Sequence, residues 1–299
     1  MGAKLRIVRR RIRSVQSTKK ITRAMELIAS SRIVRAQSRV EASRPYAEQL
    51  TKAMEDVASR SASVAHPLLE HREHATKIGV LVITSDRGLA GAYNANVLKV
   101  AEQHLRETRA RRMEPVLYVV GKKGVGYFRF RGVPMQASWQ GFSEVPPYEK
   151  AEVVGRRLIQ DFADGAIDEL HCAYTDFRSA FTLRATSKRF LPIAPEEVTG
   201  TARDTVSAEY LFEPEPAEIL EHLLPQYVIT KVYAALLESA ASENASRRRA
   251  MKAATDNASD LIKALTLESN RARQAQITQE ISEIVGGANA LAAAAGSDE

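Results

Sequence analysis

The sequence predicts an α/β protein: a long antiparallel coiled coil of the N- and C-terminal helices plus a central α/β domain with a mainly parallel sheet. Three observations predict it. Residues 4–60 hold one proline and no glycine. Residues 226–285 hold neither. Between them, compact β-branched runs alternate with helical stretches, the pattern of parallel strands joined by crossover helices.

The N-terminal segment, 1–60, places Leu5, Val8, Ile12 and Val15 at the alternating three- and four-residue spacing of a coiled-coil seam. The seam is then expected to change phase. Lys19 and Thr22 fall on its next two positions, and Ile21, Met25 and Ile28 begin a new stripe. At 1.5 Å per residue this helix is about 85 Å long. Pro45 is expected to kink or interrupt it, because proline lacks the N–H and crowds the preceding turn. Residues 61–75 (SASVAHPLLEHREHA) read as a connector.

The central segment, 76–213, opens on KIGVLVIT, the signature of a buried strand. A helix around Asn94–Thr108 follows, then the strand PVLYVV, helices near Lys122–Phe130 and Val153–Phe162, and a strand over Asp168–Tyr174. Thr182–Ile193 supplies one or two more strands. This alternation is Rossmann-like.

The C-terminal segment, 214–299, returns to helix. Pro214 and Pro216 precede Glu218 and Glu221, which puts acids in a first turn. Pro225 leaves continuity from Glu218 to Gln226 open. From Gln226 the helix extends about 90 Å, weakened near its end by Gly286 and Gly287. A long helix with a narrow apolar stripe is not stable alone. Pairing the two ends makes a shaft that carries a globular body, and it winds the residues near Ile12 together with those near Ile281.

Composition narrows the function classes. Of 299 residues, 43 are Lys or Arg and 36 are Asp or Glu, a net charge of +7. Nine of the basic residues lie within positions 1–24, which hold no acid. That balance suits an acidic partner, whether nucleic acid, membrane or protein, and does not choose among them. A 44% hydrophobic content excludes disorder as the main state. The single cysteine, Cys172, excludes a disulfide framework and a thiolate metal cluster. It sits in an apolar strand as a small hydrophobe. No apolar run reaches the ~18 residues of a membrane span. The opening MGAKLRIVRRRIRSV has arginine where a signal peptide needs an apolar stretch, so no leader is expected.

No catalytic constellation emerges. The turn Ser85–Gly91 (SDRGLAG) lacks the third glycine of a dinucleotide fingerprint and reads as a tight strand-to-helix turn. Gly121–Gly126 (GKKGVG) lacks the P-loop spacing. His66, His71 and His74 fall in the connector, without the fixed geometry a metal needs. His104, His171 and His222 are scattered, with no nucleophile–base pairing. The run Arg247–Arg249 reads either as a solvated face or as part of a basic docking surface. No catalytic residue, cofactor or metal ligand is expected. Two function classes remain besides an enzyme in the central domain: a non-catalytic shaft with a docking body, and a basic coiled-coil nucleic-acid-binding protein.

Several blocks carry a more specific likeness. They are Ile12–Leu27 (IRSVQSTKKITRAMEL), Arg44-Pro45-Tyr46, Ser85–Gly91 with Asn94, Met251–Ala258 (MKAATDNA) and Asn270–Ala288 (NRARQAQITQEISEIVGGA). Through them the chain resembles the γ subunits of bacterial F-type ATP synthases over essentially its whole length. The resemblance implies a central-stalk rotor, a non-catalytic subunit that transmits torque between a proton-driven c ring and a catalytic hexamer of α and β subunits. It implies the ε subunit as a further partner, no cofactor and no nucleic acid. Membrane association would be peripheral, through partners only, on the cytoplasmic side of the cell membrane.

The resemblance also implies contact residues. Arg23 and Met25 would lie near an acidic loop of β. Arg273 and Gln274 would meet another β loop, with Thr278 and Glu280 nearby. Tyr210 and Glu213, in the pattern Tyr210–Pro214 (YLFEP), would approach the c ring. The chain departs from the family pattern at Ala90, where a cysteine is common, and in a tail, Leu291–Glu299, that runs past the usual end.

Overall fold

A computed structural model describes residues 2–59, 66–72, 75–179, 182–194, 197 and 216–295. Helix α1 spans Gly2–Ser59. Strand β1 (Lys77–Ile83), helix α2 (Tyr93–Ala110), β2 (Glu114–Val120), α3 (Lys122–Phe130), β3 (Ala137–Trp139), α4 (Tyr148–Ala163), β4 (Glu169–Phe177) and β5 (Leu183–Leu191) follow, and α5 runs from Pro216 to Ala295. The α/β class with a coiled coil is the observed fold. The chain forms two compact units, Ala29–Arg249 and Met1–Ile28 with Ala250–Glu299.

In the first unit the sheet order is β3-β2-β1-β4-β5. Strands β3, β2, β1 and β4 are parallel, and β5 pairs antiparallel with β4. Successive residues of a strand face opposite sides, so each side of β1 and β2 builds its own core. Val80, Val82, Leu117 and Val119 pack with Val97 and Leu105 of α2 and Phe128 of α3. Leu81, Ile83, Tyr118 and Val120 pack with Leu158 and Phe162 of α4 and with Leu224, Val228 and Val232 of α5. Met54 and Val57 of α1 join that second layer. Cys172 is fully buried there as a free thiol, and burial pushes its pKa well up, so it stays protonated. Strand β3 escaped the sequence reading because three residues are too few to show a period.

The described part of the connector is anchored to this unit. Leu68 is buried in a short 3₁₀ turn, Pro67–Leu69, whose Leu68 N–H is accepted by His66 Nδ1 at 3.1 Å. Arg72 donates to Asp168 Oδ1 at 2.7 Å and to the Phe162 carbonyl at 2.8 Å. The N–H groups of Thr76 and Lys77 both donate to Asp168 Oδ2 at 2.8 Å. Burial works against ionisation of Asp168, but Arg72 and these N–H groups outweigh it and hold the carboxyl down to about 2.

Helix α1 corrects two expectations. Its buried and half-buried positions run Leu5, Val8, Ile12, Val15, Lys19 and Thr22, and the same three-four spacing continues through Ala29, Ile33, Ala36, Leu50, Met54 and Val57. The seam therefore keeps one phase. Ile21 and Ile28, taken as a new stripe, are more than half exposed. Spacing outranks hydrophobicity here because the polar seam residues are accommodated: Lys19 is half-buried, its alkyl stem able to cover apolar surface. Thr22 shares a 2.7 Å hydrogen bond with Thr255. The helix also continues through Pro45, and α5 through Pro225. Glu41 and Glu221, the residues four before each proline, are exposed, so water can take the carbonyls that lose their N–H donors.

In the second unit α5 presents a matching seam: Met251, Thr255, Ala258, Ile262, Leu265, Ser269, Ala272 and Gln276 are buried or half-buried. The Thr22–Thr255 bond sets the register. Residues before Thr22 run alongside residues after Thr255, which makes the pair antiparallel. Val8, two heptads before Thr22, is level with Ser269, two heptads after Thr255, and both are buried. Ile12 is thus level with Leu265 rather than with Ile281, which lies past the level of Gly2, where α1 starts.

Candidate functional site

The heptad explains why the N-terminal charge faces outward. The seam positions leave Arg6, Arg9, Arg10, Arg11, Arg13, Lys20 and Arg23 exposed on the second unit. The Arg23 side chain is 56% exposed and lies 2.9 Å from Glu26. Met25 beside it is half-buried. On α5, Arg273, Gln274, Thr278 and Glu280 are all exposed. Gln276 donates to Glu280 at 2.8 Å, and Ser282 donates to the Thr278 carbonyl at 2.9 Å. Of the expected contact residues on these helices, Arg23, Arg273, Gln274, Thr278 and Glu280 therefore stand on solvent-facing surface, whereas Met25 is only partly accessible. Tyr210 and Glu213 lie outside the described residues.

The sequence reading missed one feature of this surface. Ile277, Ile281, Ile284 and Val285 are about half exposed or more, with Ile284 at 72%. Their spacing puts them on one helix face. The signal was in the sequence, but it passes for a continued seam unless the register is known to carry it beyond α1.

The turn after β1 is a lock. Asp86 accepts the N–H groups of Lys122 at 3.0 Å and of Gly141 and Ser143 at 2.9 Å, and the Asp86 N–H donates to Ser143 Oγ at 2.8 Å. Asn94 Oδ1 accepts the Ser85 N–H at 2.9 Å. Burial opposes ionisation of Asp86, yet these bonds hold its carboxyl below the usual range. A carboxylate thus occupies the start of α3, where a phosphate would otherwise be attracted. The strand-to-helix turn expected from the glycines is what forms.

The run Arg247–Arg249 divides. Arg249 is exposed, whereas Arg247 is only 5% exposed. Arg247 Nη2 donates to Glu243 Oε1 at 2.5 Å and to the Gly88 carbonyl at 3.3 Å. Its Nη1 lies 3.5 Å from Glu144 Oε1, and Glu144 Oε2 accepts from Arg32 of α1 at 2.6 Å. Glu243 is fully buried, and burial raises its pKa while Arg247 opposes the rise. The solvated-face reading fails for Arg247 because it faces the 85–91 turn from inside the first unit. His104 and His171, scattered in sequence, meet with ring centroids 4.4 Å apart.

Glu238 on α5 supplies a pH-dependent term. Its Oε2 accepts the Phe177 N–H at 3.4 Å. Burial, then the like charge of Asp176, push its carboxyl up to about 7, against the opposing pull of Lys188. A raised acid is protonated in the fold while already ionised in the unfolded chain, so stability falls as pH rises from about 4.5 to 7. Glu238→Gln is therefore expected to be more stable than wild type at pH 8 by about 1–3 kcal/mol, with little gain at pH 5. Urea denaturation at the two pH values measures it, and an equal gain at both would dismiss the titration.

Two paired terminal helices and a five-stranded, mostly parallel sheet are shared with chains of solved ATP synthases. A chain of the Euglena gracilis mitochondrial ATP synthase, in an OSCP/F1/c-ring structure, aligns with a TM-score of 0.69 at 16% identity, covering 97% of this chain and 95% of its own. One from the central stalk/c-ring of the Tetrahymena thermophila mitochondrial ATP synthase aligns at 0.57 and 23% identity, covering 78% and 99%. The sequence profile of the ATP synthase family matches residues 4–291. The ATP synthase gamma chain of Mycolicibacterium smegmatis is 54% identical over 306 residues, covering 98% of this chain and 99% of the relative. That of Acidothermus cellulolyticus is 54% identical over 297 residues with the same coverage. The chain belongs to the ATP synthase gamma family. This membership leaves the nucleic-acid alternative without support. Among the described residues, no helix is long and apolar enough to cross a membrane.

Proposed function

We propose that this chain is the rotor of a proton-coupled ATP synthase, a non-catalytic subunit that passes torque between a c-subunit ring and a catalytic hexamer of α and β subunits. The observation that carries the reading is the terminal-helix unit of a gamma-family chain: a continuous buried seam inside, and an outer surface rich in exposed arginine and polar side chains. A rotating element passes three equivalent partners in turn. Solvated polar contacts release at each step, where a broad dry patch holds. Each partner's state shifts only through contacts that differ between positions, which the exposed basic residues of α1 can supply.

In this reading Arg23 and Met25 face an acidic loop of β. Arg273, Gln274, Thr278 and Glu280 meet a second β loop, and Tyr210 and Glu213 approach the c ring. The ε subunit binds the α/β body. The chain reaches the cytoplasmic face of the cell membrane through these partners. Arg273→Glu, assembled into the complex and reconstituted in vesicles, is expected to lower coupled ATP synthesis about tenfold, equivalent to ~1.4 kcal/mol. Thermal unfolding of the chain should move little, because the side chain is exposed. Normal synthesis in that variant removes Arg273 from the contacts. A complex that hydrolyses ATP at full rate with this chain clamped to the hexamer rejects the rotor reading itself.

A further inference from the structure

We propose that the Ala29–Arg249 unit contains a binding site for a small, uncharged aromatic molecule bearing a carbonyl acceptor, in the open cleft lined by α1, α4 and α5. The cavity has a volume of about 380 Å³, within the range of ligand pockets, ~300–1,000 Å³. Its walls include Tyr46 and Ser43 of α1, Tyr148 of α4, and Gln226, Thr230 and Tyr233 of α5. Among the described residues, no carboxylate, ammonium, guanidinium or imidazole lines it, so an ionic ligand would meet no counter-charge from them. The Tyr148 and Tyr233 rings meet edge to face, 5.3 Å apart at 81°, which leaves ring faces for a flat guest.

The polar groups select an acceptor. Ser43 Oγ donates to the Val40 carbonyl and Thr230 Oγ1 to the Gln226 carbonyl, both at 2.8 Å, so their protons are already used. Gln226 Nε2 donates to the Tyr148 hydroxyl. Tyr148 is the acceptor in that bond and keeps its own proton to give. Burial raises the pKa of this phenol, although Gln226 opposes the rise, so it stays protonated near neutrality. Tyr46, 51% exposed at the cavity, closes the Arg44-Pro45-Tyr46 block, which neither the seam nor the turn lock uses. The inference stands apart from the rotor reading, since it concerns only this unit's own cavity.

The uncharged naphthyl ketone prodan tests it with the full-length chain, by fluorescence titration. Saturable binding of one molecule per chain with blue-shifted emission is expected. Tyr148→Phe should weaken binding about tenfold, the loss of ~1.4 kcal/mol for one hydrogen bond. Ala234→Phe, which places a ring in the cavity, should abolish it, and Ala47→Leu serves the same end from α1 if the first variant fails to fold. Absence of saturable binding to the wild-type chain overturns the proposal. So does undiminished binding to a folded, filled variant. Binding lost on filling but indifferent to Tyr148→Phe overturns the carbonyl assignment.

Discussion

Arg247→Met is expected to destabilise the chain by about 3–5 kcal/mol. The guanidinium satisfies Glu243 at 2.5 Å, and Glu243 is fully buried. Removing the cation strands a carboxylate whose ionisation burial already resists. Its remaining partner is Ser143, whose hydroxyl donates to Glu243 Oε2 at 3.3 Å, too little to replace a charge. The double variant Glu243→Leu with Arg247→Met should recover most of the loss, because an apolar pair carries no desolvation cost. Urea denaturation of wild type, both singles and the double measures this. A loss below ~1 kcal/mol for Arg247→Met would mean that the pair is solvated rather than buried.

Gly121→Ala is expected to cost about 3 kcal/mol or more. Gly121 joins β2 to α3 at φ +97°, a region that L side chains rarely enter. A Cβ there would sit 2.2 Å from the Thr84 carbonyl oxygen and 2.7 Å from Thr84 Oγ1. Thr84 cannot retreat easily: its hydroxyl donates to the Val120 carbonyl at 2.8 Å and accepts the Gly124 N–H at 2.9 Å. Gly126→Ala, five residues on in an exposed position of α3 with open space around it, should instead gain about 0.5–1 kcal/mol. Equal thermal shifts in the two variants would refute the steric argument at Gly121.

The sequence made the architecture legible where one physical signal dominated. The β-branched runs at 78–83 and 116–120 could pack only as buried strands, and the glycine-free ends could only be helices. Two readings failed where signals competed. Ile21 and Ile28 outweighed Lys19 and Thr22 by hydrophobicity, yet Thr22 is buried because Thr255 meets its hydroxyl. A partner 233 residues away along the chain leaves no local trace. Arg247 looked like surface for the same reason, since Glu243, Glu144 and Gly88 converge on it from different elements. At the candidate site, Arg23 and Arg273 entered only through the family resemblance, and their exposure became visible only once the structure fixed the seam.

The overhang of α5 has a consequence for hydrogen exchange. From Ile277 onward every described side chain is exposed, and Gln276 is the last seam position. A lone helix of that length gains little from its own backbone. Amide protection measured there is therefore lent by another chain, and the protection in an assembled complex less that of the free chain reads how firmly such a partner holds the tip.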